Sequence, residues 1–63
     1  MNDIQKKIFD KILLISEAIG VSTNDYANAR ADNRFVDESY EELKQLKIER
    51  ENLIKEFESL EKN

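Results

Sequence analysis

The scarcity of helix-breaking residues constrains the fold of this chain more than any other feature. Its 63 residues include no proline and a single glycine, Gly20. Proline fixes φ and lacks a backbone donor, while glycine readily adopts the left-handed backbone on which many helices end. Because both are nearly absent, the sequence predicts long helices. We expect an all-α fold with a single helical domain over residues 1–63.

Composition limits the chemistry available to the chain. Charged residues make up 38% and apolar residues 40%, a mixture typical of exposed, paired helices. There is no cysteine for a disulfide or a thiolate metal site, and no histidine to serve as a general base near neutral pH. The carboxylates resemble a solvated face. We therefore expect no enzymatic activity, no metal and no cofactor.

Charge and hydropathy bear on location and partners. The net charge of −4 opposes nonspecific attraction to nucleic acid and to anionic membranes. The longest apolar run, Ile12 to Ile15, is far shorter than the ~20 residues that span a bilayer. The first residues lack the features of a signal peptide. We expect a cytoplasmic protein without membrane contact, and its richness in Ile, Lys, Glu and Asn suggests a low-GC bacterium, its phage or another mobile element.

A first helix is predicted over about residues 3–19. Asn2 or Asp3 would cap its start, and Gly20 would end it. Isoleucines spaced by three or four residues form its apolar stripe, which consists of Ile4, Ile8, Ile12, Ile15 and Ile19.

Phe9 and Leu13 lie well round the first helix from this stripe. The helix is thus more apolar around its circumference than contact with one neighbour requires. We expect it to contact more than one partner element.

The middle of the chain predicts a short helix over about residues 23–32. Ser22 would cap this helix, with Asp25 completing a capping box. Phe35 and Val36 would lie in the connector that follows.

The last helix is predicted over about residues 40–61, with Ser39 as its cap. Its apolar stripe follows a heptad repeat, interrupted by one arginine: Leu43, Leu46, Arg50, Leu53, Phe57 and Leu60. Two interpretations of Arg50 stay open. Its stem covers neighbouring leucines while the charge reaches water, or its charge specifies register or partner.

Flanking charges decide how the helices pair. In a parallel dimer of the last helix Glu56 would meet Glu61, and an antiparallel dimer would set glutamates against glutamates. Lys7 and Lys11 flank the first stripe and offer a better match. The sequence therefore predicts a hairpin of two long antiparallel helices. The surplus apolar side of the first helix predicts a dimeric helical bundle of two hairpins.

These patterns favour a small, non-enzymatic protein–protein interaction module that forms a homo-oligomer and regulates or inhibits another protein. A structural piece of a larger assembly is a further possibility. The predicted interaction and oligomer face comprises Ile4, Ile8, Phe9, Ile12, Leu13, Leu43, Leu46, Arg50, Leu53, Phe57 and Leu60.

One segment suggests a different function. An apolar and a small residue are followed by glycine, an apolar–serine pair and an apolar anchor: Ile15, Ser16, Gly20, Val21, Ser22 and Tyr26. This pattern resembles a helix-turn-helix, and the resemblance implies a DNA-binding transcriptional regulator dimerised through its C-terminal helix. It also implies four DNA-facing residues, which are Thr23, Asn24, Asn28 and Arg30.

Two observations weigh against this alternative. Asp25 and Asp32 would face phosphates, and the segment 21–37 carries two arginines against three aspartates. A helix end followed by an ordinary cap would use the same glycine and serine.

Overall fold

The computed structural model describes residues 2–61, which form two helices joined by a short connector. Helix α1 spans Asp3–Asp32 and helix α2 spans Val36–Glu61. The two helices pack against each other in an elongated body of 47 × 14 × 10 Å, without any strand in the described range. The predicted all-α helical hairpin is confirmed.

The start of α1 follows the sequence prediction. The side chain of Asn2 accepts a hydrogen bond from the backbone N–H of Gln5 at 2.8 Å. In return, the backbone N–H of Asn2 donates to the side-chain oxygen of Gln5 at 3.0 Å. This reciprocal pair is a capping box, which satisfies backbone donors that the first helical turn leaves free.

The predicted turn at Gly20 is absent. The prediction of separate helices over residues 3–19 and 23–32 is therefore wrong. Gly20 lies inside α1 without positive φ, and the helix continues to Asp32. A glycine in a helix interior costs only about 1 kcal/mol relative to alanine, which continued packing against α2 offsets. The helix ends instead at Asn33, whose left-handed φ of 55° lets its N–H donate to Ala29 and Arg30.

Neither of the two serines predicted as helix caps caps a helix. Both lie inside a helix. Ser22 lies inside α1 with 3% of its surface exposed, and its Oγ has no hydrogen-bond partner among the described residues. Ser39 lies within α2, which begins at Val36, and its N–H donates to the carbonyl of Phe35 at 3.1 Å. Phe35 has a φ of 56°, so left-handed residues at both ends of the connector reverse the chain.

Both helices turn a heptad stripe toward each other. Every member of the two stripes is buried or half-buried, at spacings that alternate between three and four residues: in α1 Gln5, Ile8, Ile12, Ile15, Ile19, Ser22, Tyr26 and Ala29; in α2 Val36, Ser39, Leu43, Leu46, Arg50, Leu53, Phe57 and Leu60. This is the pattern of an antiparallel two-stranded coiled coil. Ile4 was predicted in the α1 stripe but lies outside it. At that turn of α1, Gln5 is the residue that faces α2.

Two aromatic contacts fix the register of the hairpin. The rings of Phe9 and Phe57 have centroids 6.4 Å apart, and those of Tyr26 and Tyr40 are 5.8 Å apart. From Phe9 to Tyr26 the chain advances as many residues as from Tyr40 to Phe57. The helices are therefore antiparallel and in step along their length.

We expect alanine substitutions at Ile8 and Ile4 to differ strongly. Ile8 is 5% exposed against α2, whereas Ile4, one turn earlier, is 60% exposed. Ile8→Ala should lower the free energy of unfolding by about 2–4 kcal/mol and Ile4→Ala by under about 1 kcal/mol. Chemical denaturation followed by circular dichroism measures both. Equal losses would contradict the register.

The sign of the Ser22→Ala effect tests the continuous helix. A buried hydroxyl without a partner is destabilising, and alanine is the better helix former, so we expect a gain of about 1 kcal/mol. Were Ser22 a cap, the same change would cost about 0.5–2 kcal/mol. Asn2→Ala is the control, since it removes the observed cap and should lower stability in the same denaturation measurement.

Candidate interaction surface

One side of the hairpin carries both aromatic contacts, and we call it the aromatic face. Its exposed apolar side chains are Phe9, Leu13, Tyr40 and Ile54. Phe9 and Leu13 remain 40% and 50% exposed, although Phe9 contacts Phe57 across the seam. Side chains from both helices thus form one apolar surface beside the coiled-coil seam.

A groove opens on α2 at the edge of the aromatic face. Its floor is Leu43, which is buried, and its walls combine alkyl stems with an aromatic ring. The residues that line it are Tyr40, Leu43, Lys44, Lys47, Ile48 and Glu51. The volume of this groove is about 230 Å³, which is enough for one aliphatic side chain.

The opposite side of the hairpin has a different character, and we call it the acidic face. Helix α1 contributes exposed apolar residues there, namely Ile4, Leu14 and Val21, with Leu14 66% exposed. Helix α2 contributes exposed glutamates, namely Glu42, Glu49 and Glu56. An apolar strip therefore runs beside a row of glutamates, and Lys7 and Lys11 are exposed on the same side near the start of α1.

The predicted interaction residues divide between the seam and the surface. Ile8 and Ile12 turn toward α2, and all six predicted residues of α2 turn toward α1. Of the predicted set, Phe9 and Leu13 lie on the aromatic face, and Ile4 lies on the acidic face. Tyr40 and Ile54 widen the heptad stripe of α2 on one side in the sequence, but the predicted interaction face did not include them.

Arg50 lies half-buried in the seam, between leucines of its own stripe. It has no ion pair within 4.0 Å among residues 2–61, whereas the exposed Lys55 and Glu51 do pair at 3.6 Å. Half-burial without an ion pair fits the interpretation in which the stem packs and the guanidinium reaches water.

The four residues proposed to face DNA do not form a recognition helix. A helix-turn-helix needs two helices that meet at a turn, and residues 15–30 are one uninterrupted helix. The Thr23 hydroxyl donates to the Ile19 carbonyl at 2.7 Å, and the Arg30 guanidinium lies 5.9 Å from the centre of the Tyr26 ring. Asn24 is exposed, and Asn28 lines a cleft near the connector. The predicted turn between two helices is therefore wrong, and DNA binding by these residues stays a prediction.

No protein-family model matches this chain, and no curated protein or solved structure matches it. Within residues 2–61, neither helix has the length and apolarity needed to cross a bilayer.

Proposed function

We propose that this chain is a small, non-enzymatic protein–protein interaction module that self-associates and regulates or inhibits a partner protein. The observation that supports it is the apolar surface of α1. Ile4, Phe9, Leu13, Leu14 and Val21 are all exposed in a helix that already packs on α2. Clustered exposed apolar side chains on a small domain are typical of surfaces that bind another protein.

The shape of the accessible surface supports self-association. The chain exposes 5047 Å², whereas a folded monomer of its 7.4 kDa mass exposes about 4200 Å² on average. The elongated two-helix shape accounts for this excess of roughly 800 Å², and the same shape leaves apolar side chains of α1 accessible to a second copy.

The presence of two separate faces supports a second partner. A dimer uses one face, and the other stays accessible on each copy. The acidic face suits a partner helix with an apolar stripe flanked by basic residues, because its glutamates border an apolar strip. A module of this kind acts by occupying a surface of its target, which is how small regulators and inhibitors work.

Sedimentation equilibrium of the full chain at micromolar concentration tests self-association. We expect a mass twice the chain mass of 7.4 kDa, since burial of the exposed apolar residues favours the dimer. A single monomeric species across that concentration range would contradict this part of the proposal.

Affinity capture from the native host tests the second partner. A Leu14→Glu bait should lose the captured protein, because it places a charge in the apolar strip of the acidic face. Asn24→Glu is the control, since it adds the same charge to an exposed polar position of α1. A protein retained equally by both baits would not bind through the acidic face.

A further inference from the structure

We propose that the aromatic face is a homodimer interface in which two hairpins pack face to face with their connectors at opposite ends. The inference rests on the proposed self-association and assigns it a surface and an orientation. A two-fold axis would cross the middle of the aromatic face, so that α1 packs on α1 and α2 on α2 of the second copy.

On α1, large and small residues of the aromatic face are arranged to complement each other. Phe9, Leu13, Ser16 and Gly20 follow one another at spacings of four, three and four, so they share a side of the helix. The large residues come first and the small ones follow. When two such helices run antiparallel, Leu13 of each copy lies at Gly20 of the other.

Nothing within the hairpin requires a glycine at position 20. Its backbone is right-handed, and a Cβ at this position would meet nothing within 4 Å. Glycine is the poorest helix former apart from proline, so an isolated hairpin would gain from a larger residue. In the proposed dimer, Leu13 of the second copy would pack directly against the backbone at Gly20. A side chain at position 20 would prevent this close contact.

On α2, a projecting residue and a groove complement each other in the same way. Ile54 projects from the aromatic face, and the groove floored by Leu43 lies nearer the connector. In an antiparallel pair, Ile54 of each copy lies at the level of Lys44 of the other. There it enters the groove between Tyr40 and Lys47.

Both fits place the two-fold axis at the same height, although they involve different helices. The midpoint between Leu13 and Gly20 falls between Ser16 and Glu17. The midpoint between Lys44 and Ile54 falls at Glu49. In the register set by the two ring pairs, Glu17 lies opposite Glu49. One axis therefore satisfies both fits.

Charge favours the same orientation. On the aromatic side of α2, Lys44 and Lys47 lie with Asp37 in the half near the connector, and Glu51, Glu58 and Glu61 lie in the other half, which is the more acidic one. With connectors at opposite ends, Lys47 of each copy meets Glu51 of the other, and Tyr40 meets Glu58. With connectors at the same end, a two-fold axis would place α2 of each copy on α1 of the other, and the contact between Lys47 and Glu51 would be lost.

Leu13→Glu and Leu14→Glu, measured by sedimentation equilibrium, test the choice of face. The two leucines are adjacent and both exposed, but only Leu13 lies on the aromatic face. We expect Leu13→Glu to raise the dimer dissociation constant at least about 30-fold, the size of a hot-spot effect, and Leu14→Glu to raise it less than about threefold. Circular dichroism at the same concentrations monitors folding.

Gly20→Leu keeps the test valid if Leu13→Glu unfolds the chain. Leucine at position 20 fills the seat of Leu13 and should weaken the dimer about tenfold or more, while raising the helix content of the dilute chain. If Gly20→Leu leaves the dimer dissociation constant unchanged, the proposed contact between Leu13 and Gly20 is overturned.

A Ser16→Cys variant tests the orientation, and the natural chain has no other cysteine. Ser16 lies beside the proposed axis, so oxidation of the dimeric variant should yield a disulfide-linked dimer. A dimer that does not cross-link overturns the orientation. A dimer lost in Leu14→Glu but retained in Leu13→Glu overturns the face and leaves self-association standing. A monomeric wild type overturns both.

Discussion

The seam between α1 and α2 is the interaction on which the rest of the structure depends. Helices in proteins gain most of their stability from the packing of an apolar face, so each helix depends on the apolar stripe of the other. That seam is thin. Ile8, Ile19 and Leu43 are the buried apolar residues of the described range, and polar side chains take several heptad positions, including Ser22 and Arg50. The hairpin therefore holds its shape with little core to spare.

A two-helix seam covers one stripe of each helix and leaves the rest of the circumference to solvent. For α2 this suits the sequence, because charged residues occupy most of its outer positions. For α1 it does not, since Phe9 and Leu13 project on one side and Leu14 and Val21 on the other. The exposed apolar residues of α1 favour association with another chain.

Much of the hairpin could be predicted from periodicity, and the errors came from signals with two meanings. The heptad of α2 and the Asn2 cap depend on local spacing and chemistry. Gly20 and Ser22 also match a helix end followed by a cap. Packing decided otherwise, since the α1 stripe continues through Tyr26 to Ala29 and gains more against α2 than a mid-helix glycine loses.

The surface was harder to predict than the seam. Phe9 and Leu13 could be identified because they lie far from the isoleucine stripe of their own helix. Tyr40 and Ile54 joined them only once the ring pairs fixed how α2 sits beside α1. A surface built from two helices depends on their register, which one helix pattern does not specify.

Gly20 affects both the stability of the hairpin and the shape of its exposed surface. In a chain with so small a core, replacing this glycine with alanine would add about 1 kcal/mol of helix stability without any clash inside the hairpin. The isolated chain thus carries a cost at the centre of its longest helix that nothing within it requires. An antiparallel second copy would turn that cost into a close contact for Leu13, and the same axis would seat Ile54. In the proposed dimer, the glycine that also matches a helix end would serve as a contact surface for Leu13.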